Sequence, residues 1–382
     1  MRAVVCHETR LTVRDLPDPE PGEGQLVLDV IRCGICGSDL HARHHGDDVA
    51  DAAAKVGLTD LMRCRDEVVL GHEFSGQVLD YGRQTHRRWK PGTPVVALPL
   101  LRTNGTPGMT GLSPNAPGAY AERVVVQESM TMPIPSGLDP ALAAMTEPMA
   151  VALHAVRKSR IGKRETAVVV GAGPIGLAVI QVLKALGVKH VIASDFSPFR
   201  RGLAVRCGAD EVVDPAAESP WASFAQSKRY YTSGKEVLDL AFDTMETLRK
   251  VPHLPWAKAM RAAERIGATP RGPVVFECVG VPGMIAQIMD QAPLYSRIIV
   301  VGVCMQPDQI APSMGTNKEI MLQFVFAYDP SEFADALHLM ADGKIDPAIL
   351  HTGTVGLDGV EAAFDDLASA GQHAKILINP RA

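Results

Sequence analysis

Residue types that bind transition metals occur in three separate segments of the sequence. Cys33 and Cys36 form a C-x-x-C pair, His72 and Glu73 belong to a G-H-E triplet, and Glu147 lies in the triplet T-E-P. Thiolate, imidazole and carboxylate together are the ligand set of a catalytic zinc ion, in which three protein ligands leave a fourth position open. The lone C-x-x-C excludes a four-cysteine structural site, and its flanks do not fit a thioredoxin-like redox pair. Taken singly, each residue could instead be a buried thiol or a solvated acid.

A glycine-rich turn could bind a dinucleotide. The segment GAGPIG at 171–176 matches G-x-G-x-x-G, follows an apolar strand and opens a helix, which is the context the motif requires. The alternative is a tight strand–helix turn without a ligand. Asp195 ends the next predicted strand, where its carboxylate could accept hydrogen bonds from a ribose and would repel a 2′-phosphate. This favours NAD, although Arg200 and Arg201 leave NADP open because an arginine there can hold that phosphate.

The composition limits the class of protein. The 382 residues have a net charge of −5, with 46% hydrophobic and 21% charged residues, which suits a globular protein and excludes a disordered one. Because no long basic run is present, we expect neither nucleic acid nor membrane as a partner. The seven cysteines have irregular spacing and the N-terminus lacks a signal peptide's apolar stretch, so we expect a cytoplasmic protein.

The elements that must position these residues follow two patterns. Short strand-like runs separated by glycine and proline clusters fill the first 130 residues, at 26–31, 67–70 and 93–98. From Thr166 onwards, apolar strands alternate with helices, which predicts a parallel sheet covered on both faces. These strands are predicted at 166–170, 191–195, 211–213, 274–277, 297–303 and 320–327.

The remaining segments predict helices and one terminal strand. Residues 140–156 are predicted to form a helix that Pro148 interrupts, and residues 331–342 form another. The run 375–378 predicts a strand that returns to the N-terminal part of the molecule.

The motifs resemble those of the zinc-dependent alcohol and polyol dehydrogenases of the medium-chain dehydrogenase/reductase superfamily. The resemblance is carried by C-G-I-C-G-S-D, G-H-E and G-A-G-P-I-G in this order, spans nearly the whole chain and includes N-K-E-I at 317–320. It implies an α/β fold with a GroES-like, β-rich catalytic domain at 1–149 and 328–382. A Rossmann NAD-binding domain with a doubly wound parallel sheet would occupy 150–327. The similarity is to the sorbitol and butanediol dehydrogenase-like branch.

The resemblance implies an enzyme that transfers a hydride between a secondary alcohol or polyol and NAD, with one catalytic zinc ion per chain. Cys36 and His72 would bind zinc, and Glu147 would be the third ligand. Glu73 would bind zinc directly or exchange with water, so the identity of the third ligand stays open. Cys33 is not expected to be a ligand.

The resemblance also implies the groups that move the proton and hold the cofactor. Asp39 would accept a hydrogen bond from His72 and fix its tautomer. Ser38 would start a proton relay, and His41 would pass the proton to solvent through a nicotinamide-ribose hydroxyl. The predicted cofactor-binding residues are Gly171, Gly173, Pro174, Ile175, Gly176, Asp195, Arg200, Cys278, Val279, Gly302 and Val303.

Three segments depart from the family pattern. The stretch Leu98 to Ala121 has no cysteine, so the structural zinc site of many relatives is excluded. An insert at 45–65, with a predicted helix at 49–62, should lie near the substrate cleft, and Leu58, Leu61 and Met62 in it hint at an apolar surface. A second insert at about 217–271 predicts an added helical element, which could be an oligomer contact, a surface elaboration or a lid.

Two other functions remain open from the sequence. One is a zinc-free quinone or enoyl reductase of the same superfamily, and the other is a non-catalytic NAD-binding protein. The ligand set Cys36, His72 and Glu147 argues against the first, and its combination with Ser38 argues against the second. We expect a small-molecule alcohol or ketone as the substrate and a homo-dimer or homo-tetramer as the assembly.

Overall fold

The computed structural model describes residues 1–227, 229–265, 267–369 and 371–382. The strands are β1 (Arg2–His7), β2 (Arg10–Asp15), β3 (Gln25–Gly34), β4 (Val68–Val69), β5 (Glu73–Tyr81), β6 (Pro94–Ala97), β7 (Leu100–Thr103), β8 (Thr106–Met109), β9 (Arg123–Gln127), β10 (Thr131–Pro133), β11 (Thr166–Val170), β12 (His190–Ser194), β13 (Glu211–Val213), β14 (Val274–Glu277), β15 (Arg297–Val300), β16 (Met321–Phe324), β17 (His351–Val355) and β18 (Lys375–Ile378).

The α-helices are α1 (Gly37–Ala54), α2 (Pro140–Ala143), α3 (Thr146–Ser159), α4 (Pro174–Ala185), α5 (Pro198–Arg206), α6 (Gly234–Arg249), α7 (Trp256–Arg265), α8 (Met284–Gln291), α9 (Pro312–Lys318), α10 (Pro330–Ala341) and α11 (Val360–Ala368). Short 3-10 helices lie at Glu128–Met130, Ala222–Gln226, Pro347–Ile349 and Leu357–Gly359. Within the described ranges, no helix is long and apolar enough to cross a membrane.

The β-rich part of the molecule is built around β3. The seven-stranded sheet has the order β10-β6-β5-β3-β18-β17, and β9 also pairs with β3. The C-terminal strand β18 lies antiparallel to β3, with Leu377 opposite Gly34 and Ile378 opposite Cys33. The prediction that the tail returns to the N-terminal part is therefore confirmed. As a result, the first residue of β18, Lys375, lies close to the segment that follows β3.

The second large sheet is parallel throughout. Its six strands have the order β13-β12-β11-β14-β15-β16. Neighbouring residues of β11 pack on opposite faces of this sheet. Val169 packs with α3, α4 and α10 on one face, and Val168 packs with α8 on the other. The predicted α/β fold with a doubly wound sheet is confirmed. Strand order reverses between β11 and β14, and in such sheets ligands bind at the carboxyl ends of the strands beside this reversal.

The insert at about 217–271 contains the helices α6 and α7 among its described residues, as predicted, but its two ends differ. Trp221, Phe224 and Tyr230 are buried against the parallel sheet and belong to the core. The helices α6 and α7 have no buried residue. Only the second half of the segment is therefore an addition to the surface. Its role and the domain boundaries given above stay predictions.

The predicted helix at 49–62 is correct only as far as Ala54, and its predicted start and end are wrong. The helix α1 begins at Gly37, inside the C-G-S-D motif, and ends at Ala54, with a kink at His45. The Asp39 carboxylate accepts a hydrogen bond from the Cys36 backbone N–H at 2.9 Å and so caps the helix at its start. The chain after Ala54 turns through Gly57, whose φ of +88° is incompatible with a continuing helix.

The break predicted at Pro148 lies earlier than expected. It falls at Ala144 and Met145, between α2 and α3. Pro148 stands in the first turn of α3, where its missing N–H would have no partner within the helix in any case. Glu147 precedes it in the same turn.

Candidate active site

A cavity of about 420 Å³ joins the start of α1 to the carboxyl ends of the parallel strands. The predicted site residues that line it are Cys36, Ser38, His41, His72, Glu147, Pro174, Ile175, Arg200, Cys278, Val279, Gly302 and Val303. The other predicted residues, Asp39, Glu73, Gly171, Gly173, Gly176 and Asp195, are not part of its lining. The fold thus brings the predicted metal site and most of the predicted cofactor site to one cavity.

Three donor groups form a compact cluster at one end of this cavity. The Cys36 thiol, the His72 ring and the Glu73 carboxylate each have a donor atom within 4.8 Å of the other two. His72 is 6% exposed and Glu73 is fully buried. Glu147 lines the cavity but is not a member of this cluster. The geometry thus groups Glu73 with the two predicted ligands more closely than Glu147.

Local backbone structure explains why His72 lies there. Gly71 has a φ of +102°, and a Cβ at this position would lie 2.4 Å from the ring of Tyr120. A glycine is therefore required before His72. Glu73 then begins β5 opposite Gly34 of β3, two residues before Cys36. The sheet register brings the two motifs together.

Asp39 lies behind the cluster and is itself held by two donors. Its Oδ2 accepts hydrogen bonds from the Cys36 N–H at 2.9 Å and from the Tyr120 hydroxyl at 2.6 Å. Its Oδ1 lies 3.2 Å from Nδ1 of His72, and neither of these two atoms has another partner among the described residues. Burial acts to raise the pKa of Asp39, but His72, Tyr120 and Cys36 hold it below its ordinary value. An ionised Asp39 would keep Nε2 of His72 free to act as a ligand.

The residue next to His72 on the cavity side is Ser38. Its Oγ lies 3.1 Å from Nε2 of His72. His41 follows one turn later on α1 and also lines the cavity. Burial lowers the pKa of His41. The two predicted relay residues are therefore on one helix face, beside the donor cluster.

Two functional candidates in the C-terminal third of the chain were not predicted. Lys375 Nζ donates to both carboxylate oxygens of Glu73, at 2.8 and 2.7 Å, and to the Ile35 carbonyl at 2.9 Å. Tyr328 lies against Glu147, and burial together with this carboxylate raises the pKa of its phenol well above the ordinary value. No motif marks either residue; the only indication was that β18 returns to β3.

The pKa of Glu147 differs from that of an ordinary acid. Burial raises it to about 7, and the nearby Glu73 carboxylate acts in the same direction, whereas His72 opposes it. A carboxyl at this position is therefore costly to ionise without a nearby positive charge.

The glycine turn has the spacing of a dinucleotide cradle. A Cβ on Gly176 would lie 1.9 Å from the Gly171 carbonyl oxygen, so the turn can close only with glycine there. A Cβ on Gly173 would meet no atom within 4 Å, so that position faces open space at the start of α4. Gly176 is thus required for packing within the turn, and Gly173 leaves room for a ligand to approach the backbone.

Asp195 and the two arginines have different surroundings. The Asp195 carboxylate accepts hydrogen bonds from the N–H groups of Ala172 and Ser197, both at 2.8 Å. Arg201 donates to backbone carbonyls and pairs with Asp214. Arg200 lines the cavity, and its Nε has no hydrogen-bond partner among the described residues. Of the two arginines, Arg200 is therefore the one available to a ligand.

The insert at 45–65 does not line the cavity. Leu58 is 47% exposed, and Met62 is buried in the core of the β-rich part. The Met62 N–H donates to the Leu112 carbonyl at 2.8 Å. The insert therefore contacts the end of the segment 98–112. That segment includes the hairpin β7–β8 and lines the cavity itself.

Comparisons with known proteins agree with this architecture. Residues 22–136 match the family described as alcohol dehydrogenase GroES-like domain, and residues 174–248 match the family described as zinc-binding dehydrogenase. The chain is 29% identical to (R,R)-butanediol dehydrogenase of Bacillus subtilis strain 168 over 390 residues, covering 100% of both sequences. It is 28% identical to sorbitol dehydrogenase of Halalkalibacterium halodurans, covering 96% of the chain and 95% of that protein.

A solved structure gives a similar result. The protein, from Sinorhizobium meliloti 1021, is described as a zinc-binding dehydrogenase and is bound to NADP. Its TM-score with this chain is 0.74 at 26% identity, covering 99% of both chains.

Proposed function

Because this chain belongs to the zinc-binding alcohol dehydrogenases of the medium-chain dehydrogenase/reductase superfamily, we propose that it transfers a hydride between a secondary alcohol or polyol and NAD, with one catalytic zinc ion. The observation that carries the proposal is the shared cavity. It is lined by Cys36 and His72 of the donor cluster, by the first residues of α4 and by the turns that follow β14 and β15. A metal and a dinucleotide bound there would meet the same substrate.

The donor cluster fits a zinc ion. Sulfur, ring nitrogen and carboxylate oxygen are zinc donors, and all three come together within 4.8 Å. The contact of Asp39 with Nδ1 of His72 supports Nε2 as the ligand atom. Cys36 and His72 would hold the ion, with Glu147 or Glu73 as the third ligand. When bound, zinc would supply Lewis-acid polarisation of the substrate oxygen.

The glycine turn fits a dinucleotide pyrophosphate. Gly173 faces open space at the N-terminus of α4, where backbone N–H groups and the helix dipole favour negative charge. Asp195 lies at the end of β12 and would face the adenosine ribose. The nicotinamide would supply the hydride acceptor. Val279, Gly302 and Val303 would line its site beside the substrate.

The chain's own residues handle the proton. When an alcohol is oxidised to a ketone, its carbinol hydrogen leaves as a hydride and its hydroxyl proton must leave the buried site. Ser38 is suited to take that proton because its Oγ borders both His72 and the cavity. His41, one turn further along α1, is suited to pass it towards solvent. Burial favours the neutral ring of His41, which can accept a proton.

The proposal is tested by zinc analysis together with NAD⁺ reduction over a set of secondary alcohols and polyols. Wild-type protein should contain about one zinc ion per chain and turn over at least one of these substrates. Cys36→Ser should lose both zinc and turnover. Cys64→Ser, which alters a thiol outside the cavity, should keep both.

Other outcomes would favour a different function. Full turnover in zinc-free protein would indicate a zinc-free reductase of the same superfamily. Binding of NAD without turnover of any alcohol would indicate a non-catalytic protein.

A further inference from the structure

Part of the cavity lining forms an apolar wall. The segment 98–112 contributes Leu98, Leu100, Met109 and Leu112, and the segment after β16 contributes Phe326. Leu100 is 42% exposed and Phe326 is 74% exposed. Apolar side chains left this open beside a predicted metal site offer surface that a ligand can cover.

Most of the polar side chains that line the cavity already have a hydrogen-bond partner or an assigned role. All three Nζ protons of Lys375 are used, two on Glu73 and one on the Ile35 carbonyl. Tyr328 lies against Glu147, and Ser38 is already assigned to the reacting hydroxyl of the substrate. Apart from the predicted metal donors and the predicted cofactor-binding residues, which include Arg200 and Cys278, Thr110 and His41 are the polar lining residues that remain.

On the basis of the proposed function, we infer that the substrate is a secondary alcohol, or the corresponding ketone, whose substituents are apolar. A polyol would carry several further hydroxyl groups into a space that offers two polar side chains. Each hydroxyl that loses water without gaining a partner weakens binding, on the order of tenfold. Each methylene placed against the apolar wall strengthens binding about fourfold. The wall therefore selects for alkyl or aryl substituents.

The test compares alcohols that share a carbon skeleton. Values of kcat/KM are measured with saturating NAD⁺, and in parallel with NADP⁺, on zinc-loaded protein. The pairs are 2-butanol with 2,3-butanediol and 2-hexanol with sorbitol, and the series runs from 2-propanol to 2-octanol. We expect kcat/KM to rise about fourfold per methylene until the cavity is filled. We expect 2-hexanol to exceed sorbitol by about 10³-fold or more, since sorbitol adds five hydroxyl groups.

A matched pair of variants assigns the effect to the wall. Leu100→Gln changes a wall residue that is 42% exposed, and Leu79→Gln changes a leucine on β5 that is 45% exposed and outside the cavity lining. Leu100→Gln should lower the ratio of kcat/KM for 2-octanol to that for 2-propanol by about tenfold, on the order of the hydrophobic contact it removes. Leu79→Gln should leave that ratio unchanged.

The outcomes separate this inference from the proposed function. Turnover in which sorbitol or 2,3-butanediol equals or exceeds its monohydroxy partner would overturn the apolar substrate class and leave the dehydrogenase proposal standing. An equal change of the ratio in both variants would remove the assignment to the wall. Failure to turn over any alcohol with either cofactor would overturn the proposed function, and this inference with it.

Discussion

Lys375 and Glu73, 302 residues apart in sequence, form an ion pair that is almost completely removed from solvent, with 2% and 0% of their side chains exposed. Burial acts to lower the pKa of Lys375, but Glu73 and the other nearby acidic groups raise it above its ordinary value. The lysine is therefore held in its charged form. It ties the C-terminal strand β18 to the start of β5 and holds the carboxylate of the donor cluster.

Removing the lysine should be costly. Lys375→Met leaves the Glu73 carboxylate buried without its partner, which typically costs about 3–5 kcal/mol. We expect a lower urea midpoint and poorer recovery of folded protein. The double variant Lys375→Met/Glu73→Gln should be less destabilised than the sum of the two single changes, because neither charge is then left alone.

A surface pair provides the control. Lys235→Met breaks the exposed contact with Asp239 on α6 and should leave the midpoint unchanged. If Lys375→Met unfolds at the same urea concentration as wild type, the buried pair does not stabilise the fold.

This pair also marks where sequence-based prediction ends. The proximity of Cys36 and His72 could be predicted because zinc chemistry restricts residue types within short motifs. The glycine turn could be predicted because a Cβ at Gly176 would lie only 1.9 Å from the Gly171 carbonyl oxygen, so that only glycine fits there. Lys375 carries no such signal: a lysine at the start of a terminal strand is ordinary, and only the register of β18 on β3 brings it to Glu73.

The sequence did not predict where the helix α1 begins or that the segment 98–112 forms the apolar wall of the cavity. The run after Gly37 is polar and contains His44, His45 and Gly46, so its sequence does not predict a helix; the Asp39 cap starts it. The wall at 98–112 depends on a hairpin that folds back over the cavity. Such a long-range arrangement is not encoded in local periodicity, which is why the apolar surface was expected at 58–62 instead.

Two glycines of the turn should respond differently to the same substitution. Gly173→Ala adds a methyl group to open space and should leave the melting temperature unchanged. It should weaken NAD binding by at least about tenfold, because the methyl group occupies the position where a pyrophosphate approaches. Gly176→Ala would collide with the Gly171 carbonyl and should reduce the yield of folded protein.

The control for Gly173 is Gly202→Ala on α5, where a Cβ also meets nothing within 4 Å. Its NAD affinity, measured by fluorescence titration, should match wild type. Equal affinities for Gly173→Ala and wild type would mean that the dinucleotide does not bind at this turn.

Asp195 should determine the choice of cofactor. Wild type should prefer NAD⁺ to NADP⁺ in kcat/KM, because a 2′-phosphate would meet the carboxylate. Asp195→Ala should narrow this preference. It should also raise KM for both cofactors, because the N–H groups of Ala172 and Ser197 lose their acceptor.

Arg200 is the residue that could reverse the predicted preference for NAD⁺. A wild-type preference for NADP⁺ would indicate that this arginine, whose Nε has no partner among the described residues, outweighs the acid. Arg200→Ala would then reverse the preference, whereas it should have little effect on it if Asp195 dominates.

The third zinc ligand can be identified by metal content. If Glu147 is the ligand, Glu147→Ala should lower zinc occupancy and activity together. Glu332→Ala changes another acid in the first turn of a helix, outside the cavity, and should keep about one zinc ion per chain. Full zinc occupancy in Glu147→Ala, with loss in Glu73→Gln, would assign the third position to Glu73, as the grouping of donor atoms favours.

Replacing Ser38 should have a different effect from replacing a proposed zinc ligand. Ser38→Ala removes the hydroxyl beside Nε2 of His72 without removing a donor of the cluster, so zinc content and NAD affinity should match wild type. Alcohol oxidation should slow by about 10²–10⁴-fold, the usual effect of a positioned acid–base group. The loss should shrink at high pH, where hydroxide can take the proton, and Ser38→Thr should restore much of the rate. Ser75→Ala removes a buried hydroxyl on β5 that has no partner among the described residues and should leave the rate unchanged. Full activity of Ser38→Ala at neutral pH would show that the proton leaves by another route, even if the zinc site is correct.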